Sequence, residues 1–251
     1  MRICHIALQG CLRLANVAYG VNADTGGHIK YLLELAKASA VDPDVTHIDI
    51  VTRGFLDDRL GDAYAPDAGE VSGKLRLVRL ADREAAYLPK EQLWRQHDAL
   101  CDAFLTFLGS CGELPDLIHA HYADGGILAR AAKERFGIPY IFTAHSLGAV
   151  KRQANGSRTD DDIVRRIAIE ERALEAADAV VASSRDEAEA QYAHYDGIDS
   201  GRIRVIPPGC VLDRFEGAAP SDTVRGELPR FLSAPDKPML LAIARPVRKK
   251  N

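Results

Sequence analysis

Two adjacent glycines, Gly26 and Gly27, lie where a loop leads into the first predicted helix. Glycine lets a ligand approach the backbone closely, and the unpaired N–H groups in the first turn of a helix carry partial positive charge. The segment could therefore bind an anionic or hydroxyl-rich ligand. The alternative is structural, with Asp24 and Thr25 capping the helix and the glycines forming a βα turn. The segment alone does not separate the two interpretations.

Three histidines lie at or near the ends of two predicted strands. His145 ends its strand, so its ring would face the cleft and exchange hydrogen bonds with a ligand, unless it bonds only to local backbone. His119 and His121 are two residues apart on one strand and therefore share a face. With Asp124 nearby a metal site is conceivable, but a complete site needs three or four ligands and no helical pair of ligands supports one. We favour packed, hydrogen-bonded histidines.

Basic residues at the boundaries of predicted elements could form a phosphate clamp; they are Lys90, Lys151, Arg165 and Arg166. Each alone is typical of a solvated surface charge, but at converging loops arginine would supply a planar fork and lysine a point charge. Arg245 and Lys250 follow an apolar strand predicted over residues 239–244. They would form a second basic anchor, where a nucleotide diphosphate is expected in a second α/β domain.

These residues must be positioned by alternating strands and helices. Apolar and alternating runs predict strands over residues 2–9, 47–52, 74–80, 116–121, 140–145, 179–183 and 202–206. Apolar residues at helical spacing predict helices over residues 27–40, 90–109, 126–136, 163–177 and 186–195. Residues 55–73 are interpreted as a loop or small excursion, and residues 151–162 as a polar interruption.

This alternation predicts an α/β fold with a Rossmann-like, doubly wound, mostly parallel sheet, in which strand 74–80 could lie at an edge. Ligands bind at the carboxyl ends of the strands in such sheets. The polar and glycine residues that follow strands are Gly26, Gly27, His121, Tyr122, Asp124, His145 and Ser146.

Three segments are expected along the 251 residues. Residues 1–212 would form a Rossmann-like domain that binds a ligand. Residues 213–236 are rich in proline, glycine and alanine and are predicted to be a linker. Residues 237–251 would be the first strand and loop of a second domain, so we expect the chain to stop just inside the second domain of a longer protein.

Composition and absent motifs exclude several classes of function. The net charge of −4 argues against a general binder of nucleic acids or anionic membranes. Neither a signal peptide nor a long apolar run is present, which favours the cytoplasm. Five cysteines without CxxC spacing indicate neither a disulfide framework nor a zinc site. GxxxxGK[ST], GxGxxG and GxSxG motifs are missing, which disfavours a kinase, a nicotinamide dehydrogenase and a Ser-His-Asp hydrolase.

Six motifs occur in an order that is specific although each is weak alone. They are DTGG at 24–27, YLPKEQLW at 87–94, HYADGG at 121–126, HSLG at 145–148, RRI followed by two glutamates at 165–171, and IPPG at 206–209. With them the sequence closely resembles, over nearly its whole length, the amino-terminal half of the sucrose-phosphate synthase family. These proteins are retaining glycosyltransferases of the two-domain GT-B architecture.

The resemblance implies transfer of glucose from UDP-glucose to the 2-hydroxyl of fructose 6-phosphate, with the acceptor on the first domain. The positions matching the acceptor site are Gly26, His28, Lys90, Tyr122, Lys151, Arg165 and Arg166. Gly27 and His145 match positions beside the reacting centre and the donor sugar. Arg245 and Lys250 match the pair that neutralises the leaving diphosphate, a role that grows in the transition state. The resemblance implies no metal or other cofactor.

Two residues depart from the family's usual pattern. His28 replaces a glutamine after the two glycines, and Val247 replaces an aspartate after the last Arg-Pro pair. A neutral imidazole can donate and accept as an amide does, but with fixed geometry and a titratable charge. His28 therefore puts the details of acceptor binding in question.

We expect this chain alone to bind fructose 6-phosphate weakly and to show no transfer, because the carboxylates that bind the donor belong to the second domain. A related transferase using GDP-mannose is the nearest alternative. A sucrose synthase acting on free fructose is a further one, which the basic cluster disfavours. A stand-alone domain that senses a sugar phosphate belongs to a different class.

Overall fold

A computed structural model describes residues 1–154, 161–196, 198–211, 222–234 and 237, without the side chains of 222–225. The chain divides into two units, Met1–Gly209 and Cys210–Asn251. The second unit contains one described helix, α6, over Asp222–Phe231. The strand predicted over residues 239–244 lies outside the described residues, as do Arg245, Val247 and Lys250.

The first unit is built on one eight-stranded sheet, whose order is β3-β4-β2-β1-β5-β6-β7-β8. The strands are β1 (Arg2–Ile6), β2 (His47–Arg53), β3 (Glu70–Ser72), β4 (Leu75–Leu80), β5 (Leu117–His121), β6 (Tyr140–Thr143), β7 (Ala179–Ala182) and β8 (Ile203–Val205). Neighbouring strands are parallel except for β3 and β4. The mostly parallel α/β sheet predicted from the sequence is therefore confirmed.

Helices cover both faces of this sheet. They are α1 (Gly27–Val41), α2 (His97–Ser110), α3 (Tyr122–Phe136), α4 (Gly148–Ala154) and α5 (Asp161–Ala176). On one face Leu32 of α1 packs in a cluster with Ile48 of β2. On the other, residues of α2, α3 and α5 form a larger cluster around Phe142 of β6. Burial on both faces explains why the central strands are apolar runs rather than alternating patterns.

Several elements differ from the sequence prediction. β3 lies inside the segment interpreted as a loop, and because it pairs with β4, β4 is not an edge strand. Residues Lys90–Gln96 form a 3-10 helix before α2 instead of the first turns of one long helix. The short helix α4 precedes and enters the predicted polar interruption. Its Ala149 packs in one cluster with Ile167 of α5, while Arg152 is exposed.

Helix α3 begins four residues earlier than predicted, at Tyr122. The prediction missed this turn because it contains two glycines, which disfavour helix in isolation. Here they allow close packing. A Cβ on Gly125 would lie 2.9 Å from the carbonyl oxygen of Ile6, and one on Gly126 would lie 2.4 Å from the Cβ of Ala173. Within the described residues no helix is long and apolar enough to cross a membrane.

Candidate functional site

The carboxyl ends of β5 and β6, which are adjacent strands, bring two predicted site residues together. Tyr122 follows β5 and His145 follows β6, and both adopt left-handed backbone conformations, with φ of 61° and 56°. This conformation is uncommon for residues other than glycine and concentrates at functional sites. The two rings are 5.0 Å apart between centroids, and His28 from the start of α1 lies 5.0 Å from Tyr122 and 6.1 Å from His145.

The glycine loop is open on its outer side. Gly26 is the residue that precedes α1, and no side chain caps the first turn of that helix. A Cβ placed on Gly26 or Gly27 would meet no atom of the described part of the chain within 4 Å. The backbone N–H groups of this turn are thus reachable by a ligand, as the first of the two sequence interpretations requires.

The structural alternative, in which Asp24 and Thr25 cap α1, is wrong. The Asp24 carboxylate is buried and binds the Lys90 ammonium, while the Tyr87 hydroxyl donates to it at 2.8 Å. The Thr25 hydroxyl accepts the Cys11 N–H at 2.9 Å. These contacts are with residues distant in sequence, which local capping patterns do not reveal.

Buried histidines lie next to the ring of His145. Nδ1 of His121 is 2.9 Å from Nε2 of His145, and Nε2 of His121 is 3.3 Å from Nδ1 of His5. His119 stacks on His121 with ring centroids 4.2 Å apart and bonds to Thr143 through Nε2 at 2.8 Å. The packed, hydrogen-bonded arrangement favoured for His119 and His121 is therefore what the structure has.

Burial keeps these imidazoles neutral. Desolvation lowers the pKa of His5 from its ordinary 6.5 to about 4, and that of His145 to about 3. The pKa values of His119 and His121 are also well below the ordinary value, first because of burial and then because each faces other histidines. At neutral pH these rings can donate and accept hydrogen bonds without carrying charge.

A metal site at this cluster would need His5, which the sequence interpretation did not include. One ring nitrogen each from His5, His119 and His121 lies within 4.8 Å of the others. Asp124, the ligand considered from sequence, instead bonds to Gln9 at 2.8 Å and to His97 at 2.7 Å. Because both nitrogens of His121 already have histidine partners, an ion would have to break this hydrogen-bond chain.

A cleft of about 240 Å³ is lined in part by Tyr122. It is lined by Gln9, Lys90, Glu91, Trp94, Tyr122, Ala123, Asp124, Lys151, Asp162, Ile163, Arg165, Arg166 and Ile169. All four basic residues of the predicted phosphate clamp are thus brought together, although their positions span 77 residues of sequence (166 − 90 + 1). Gly26, Gly27, His28 and His145 do not line this cleft.

The two arginines of the cleft pair with carboxylates that differ in exposure. Arg165 stacks on Trp94, with its guanidinium 3.8 Å from the ring centroid, and pairs at 2.9 Å with Asp162, whose side chain is 57% exposed. Arg166 pairs at 2.7 Å with Glu170, which is only 1% exposed. Exposed pairs contribute little and exchange readily, whereas a buried carboxylate holds its partner.

The pair formed by Lys90 and Asp24 stays ionised. Burial lowers the pKa of the Lys90 ammonium, but its hydrogen bonds to the Asp24 and Glu91 carboxylates and the attraction of their charges together outweigh burial, so that the net pKa is raised. Burial conversely raises the pKa of Asp24, and hydrogen bonds from Lys90 and Tyr87 outweigh it, so that the net pKa is lowered. Lys90 therefore enters the cleft as a cation fixed by a buried anion.

Residues that the sequence interpretation missed complete the site. His5 extends the histidine cluster, Gln9 lines the cleft, and His97 holds Asp124. Tyr31 lies edge-on to His145 with centroids 5.2 Å apart. His5 and Gln9 sit in and just after β1, and only the pairing of β1 with β5 brings them to His119 and Asp124. No local spacing signals such contacts.

Comparisons with known proteins agree with this fold. A family model described as "Glycosyl transferase 4-like domain" matches residues 26–209, and the chain belongs to that family. The solved structure of a sucrose-phosphate synthase from Thermosynechococcus elongatus is similar over 91% of this chain and 52% of its own, with a TM-score of 0.69 and 27% identity. The sheet and helices described above are thus the α/β fold of a GT-B glycosyltransferase domain.

Curated relatives are sucrose-phosphate synthases. A probable sucrose-phosphate synthase of Solanum tuberosum is 31% identical over 98% of this chain and 30% of its own length. Sucrose-phosphate synthase 4 of Arabidopsis thaliana is 32% identical, also over 98% of this chain and 30% of its own length. The chain spans about 30% of the length of these relatives. Anabaena HepE in complex with UDP and glucose shares the fold at 15% identity, with a TM-score of 0.54.

Proposed function

We propose that Met1–Gly209 is the acceptor-binding part of a retaining hexosyltransferase that transfers glucose from UDP-glucose to fructose 6-phosphate. The observation that carries the proposal is the convergence of Lys90, Lys151, Arg165 and Arg166 on one cleft beside Tyr122. Several cations around one small cleft suit a phosphorylated ligand. Similarity to sucrose-phosphate synthases supports this choice of substrates.

The ion pairs of the cleft assign different parts to its two arginines. Arg165 can exchange its exposed partner Asp162 for a ligand phosphate while Trp94 keeps the guanidinium plane in place. Arg166 is held through Nε by Glu170 and through Nη2 by Ser146, so Nη1 is the group it has to offer. We assign the phosphate to Arg165 and Lys151, with Lys90 and Arg166 completing the acceptor site.

The donor side is proposed at the glycine loop and His145. An open backbone turn at Gly26 and Gly27 can meet both sugars, Gly27 and His145 facing the donor and the reacting centre. His28 lies between them and the cleft as an acceptor-side residue. Arg245 and Lys250 keep their proposed role at the leaving diphosphate. We also retain the domain limits 1–212, 213–236 and 237–251 and a cytoplasmic location as proposals.

The test uses a longer protein that carries this chain together with a nucleotide-sugar domain. We expect product from UDP-glucose and fructose 6-phosphate, and much less from GDP-mannose or from free fructose. Equal rates with free fructose would refute the phosphate assignment and favour a sucrose synthase. Preference for GDP-mannose would move the donor assignment to the related transferase.

This chain by itself provides a second test. Calorimetry should detect weak binding of fructose 6-phosphate, and no sucrose 6-phosphate should form with UDP-glucose added. Sucrose 6-phosphate made by this chain alone would contradict the division of labour between domains. Tight binding by the chain, with no transfer by the longer protein, would favour a domain that senses a sugar phosphate.

A further inference from the structure

A line of three imidazoles, which we call the histidine chain, runs from the interior to the candidate site. It consists of His5, His121 and His145, joined by the contacts of 3.3 Å and 2.9 Å between ring nitrogens. His5 is 2% exposed and His121 is 1% exposed. Both contacts are nitrogen to nitrogen, so in each one ring must donate and the other must accept.

The protons of a neutral chain can be ordered in only two ways. Each neutral imidazole carries one N–H, and two bare nitrogens facing each other would repel. If His5 donates from Nδ1, then His121 donates from Nδ1 and His145 keeps its proton on Nδ1. If His145 donates from Nε2, both bonds reverse and the proton of His5 moves to Nε2. One end of the chain therefore determines the other.

The buried end decides between the two orders. Nε2 of His5 is buried and has no hydrogen-bond partner among the described residues. In the first order this atom is a bare acceptor, and in the second it is an N–H donor without an acceptor. Orphaned buried donors are rarer than under-satisfied acceptors, and an unmade hydrogen bond carries the full desolvation cost of the group. The first order is favoured.

The geometry points to a proton-ordered histidine chain that fixes His145 as an Nδ1–H donor, with His5 and His121 as positioning residues. The left-handed backbone at His145 holds this ring against His121. Nδ1 is the ring nitrogen of His145 that makes no contact with His121, because that contact is made by Nε2.

This order limits what His145 can recognise. A ligand atom that meets Nδ1 must accept a hydrogen bond, as a sugar hydroxyl oxygen or a phosphate oxygen does. A group that can only donate would be rejected. That the ligand is the donor hexose rests on the proposed function, whereas the order of the protons does not. The two can therefore fail separately.

The test is the tautomer of each histidine in the 251-residue chain. Two-bond 1H–15N correlation spectra at pH 7.5, assigned with single-histidine variants, distinguish Nδ1–H, Nε2–H and the imidazolium ion. We expect Nδ1–H on all three residues, at His145 in at least about a tenfold excess. Nε2–H on His145, an imidazolium in the chain, or a stoichiometric metal ion in the purified protein would overturn the proposal.

Two variants of His121 test whether its donated proton, rather than its bulk, sets the tautomer of His145. His121→Asn places an amide N–H where Nδ1 donated, so His145 should keep its tautomer. His121→Leu removes that donor, and His145 should become a mixture of tautomers. An unchanged His145 spectrum in His121→Leu would refute positioning by His121. If the leucine variant does not fold, the wild-type spectrum still decides the proton order.

Activity of the longer protein gives an independent readout. There His121→Leu should lower kcat at least about tenfold, with His121→Asn restoring most of it and the KM for fructose 6-phosphate little changed. Ordered tautomers with no effect of either variant on kcat would contradict the donor-side role of His145 and leave the proton order standing. Lost kcat in both variants would contradict control through the donated proton.

Discussion

The histidine chain and the charged cleft both lie next to Tyr122, which contacts His145 and lines the cleft, but their polar groups are accommodated in different ways. In the chain, the rings of His5, His121 and His145 are joined by contacts between their nitrogens, and burial lowers their pKa values. In the cleft, the Arg165 and Arg166 guanidinium groups each pair with a carboxylate. The histidine chain is polar but uncharged, whereas the cleft carries charges that neighbouring carboxylates neutralise.

The comparison indicates what each region can do. Neutral rings in a dry environment offer directional hydrogen bonds whose sense is set by their neighbours, which suits hydroxyl groups. Paired cations can exchange an exposed carboxylate for a phosphate at little cost, which suits an anionic ligand.

Removing the buried anion of the cleft should have the largest effect. Glu170 accepts hydrogen bonds from the Gly148 N–H at 2.9 Å, from Arg166 at 2.7 Å and from the Tyr195 hydroxyl. Glu170→Ala leaves these buried donors unpaired, so the free energy of unfolding should fall by roughly 3–5 kcal/mol. Urea denaturation of this chain measures it. Glu171→Ala, at the next position of α5, is the control, and an equal loss there would refute the role of Glu170.

Removing the cations assigned to the phosphate should have the next largest effect. Lys151→Ala and Arg165→Ala should each raise the KM for fructose 6-phosphate in the longer protein by about 10- to 100-fold, because a charge-assisted hydrogen bond contributes roughly 1.5–3 kcal/mol. Michaelis profiles measure this, with free fructose as the comparison substrate. Arg172→Ala, an exposed arginine on the same helix, should change nothing. Similar losses with free fructose would contradict a phosphate contact.

Acid should weaken the fold through the histidine chain. The folded pKa values of His5, about 4, and His145, about 3, lie below the ordinary 6.5, so between pH 6.5 and 4 the unfolded chain binds protons that the folded chain does not. The contribution of these histidines to the free energy of unfolding is therefore constant above pH 6.5. Below that pH it falls by about 1.4 kcal/mol per pH unit for each histidine.

Urea denaturation at pH 7 and pH 5.5 measures this slope. His5→Asn should reduce it by the share of one histidine, whereas His194→Asn, at an exposed position, should not. Equal slopes in all three proteins would show that the histidine chain is not the source of the acid sensitivity.

Changing His28 should have the smallest effect. Its Nε2 lies 3.4 Å from the carbonyl oxygen of Gln9, and burial lowers its pKa, so it acts as a neutral donor and acceptor. A glutamine amide can do the same, and His28→Gln should keep the KM for fructose 6-phosphate within about threefold. A change of more than tenfold would mean that the ring itself, through Tyr122 or His145, shapes the acceptor site.

Periodic patterns were sufficient for the main elements of the fold. The apolar runs of β1, β5 and β6 and the helical spacing in α1, α2 and α5 reflect burial against a single sheet, and burial leaves a local signature in sequence. Elements without a large apolar stripe were missed. β3 has three residues at the edge, and the first turn of α3 depends on Gly125 and Gly126 fitting against Ile6 and Ala173.

The sequence by itself determined which residue types could bind a phosphorylated sugar: two glycines before a helix, basic residues at element boundaries and histidines at strand ends. Only the tertiary structure decided how they are used. Asp24 binds Lys90 instead of capping α1, and His5 of β1 meets His121 of β5 because these strands pair. The physical reason is that burial and strand pairing select partners far apart in the chain, and local spacing carries no record of those choices.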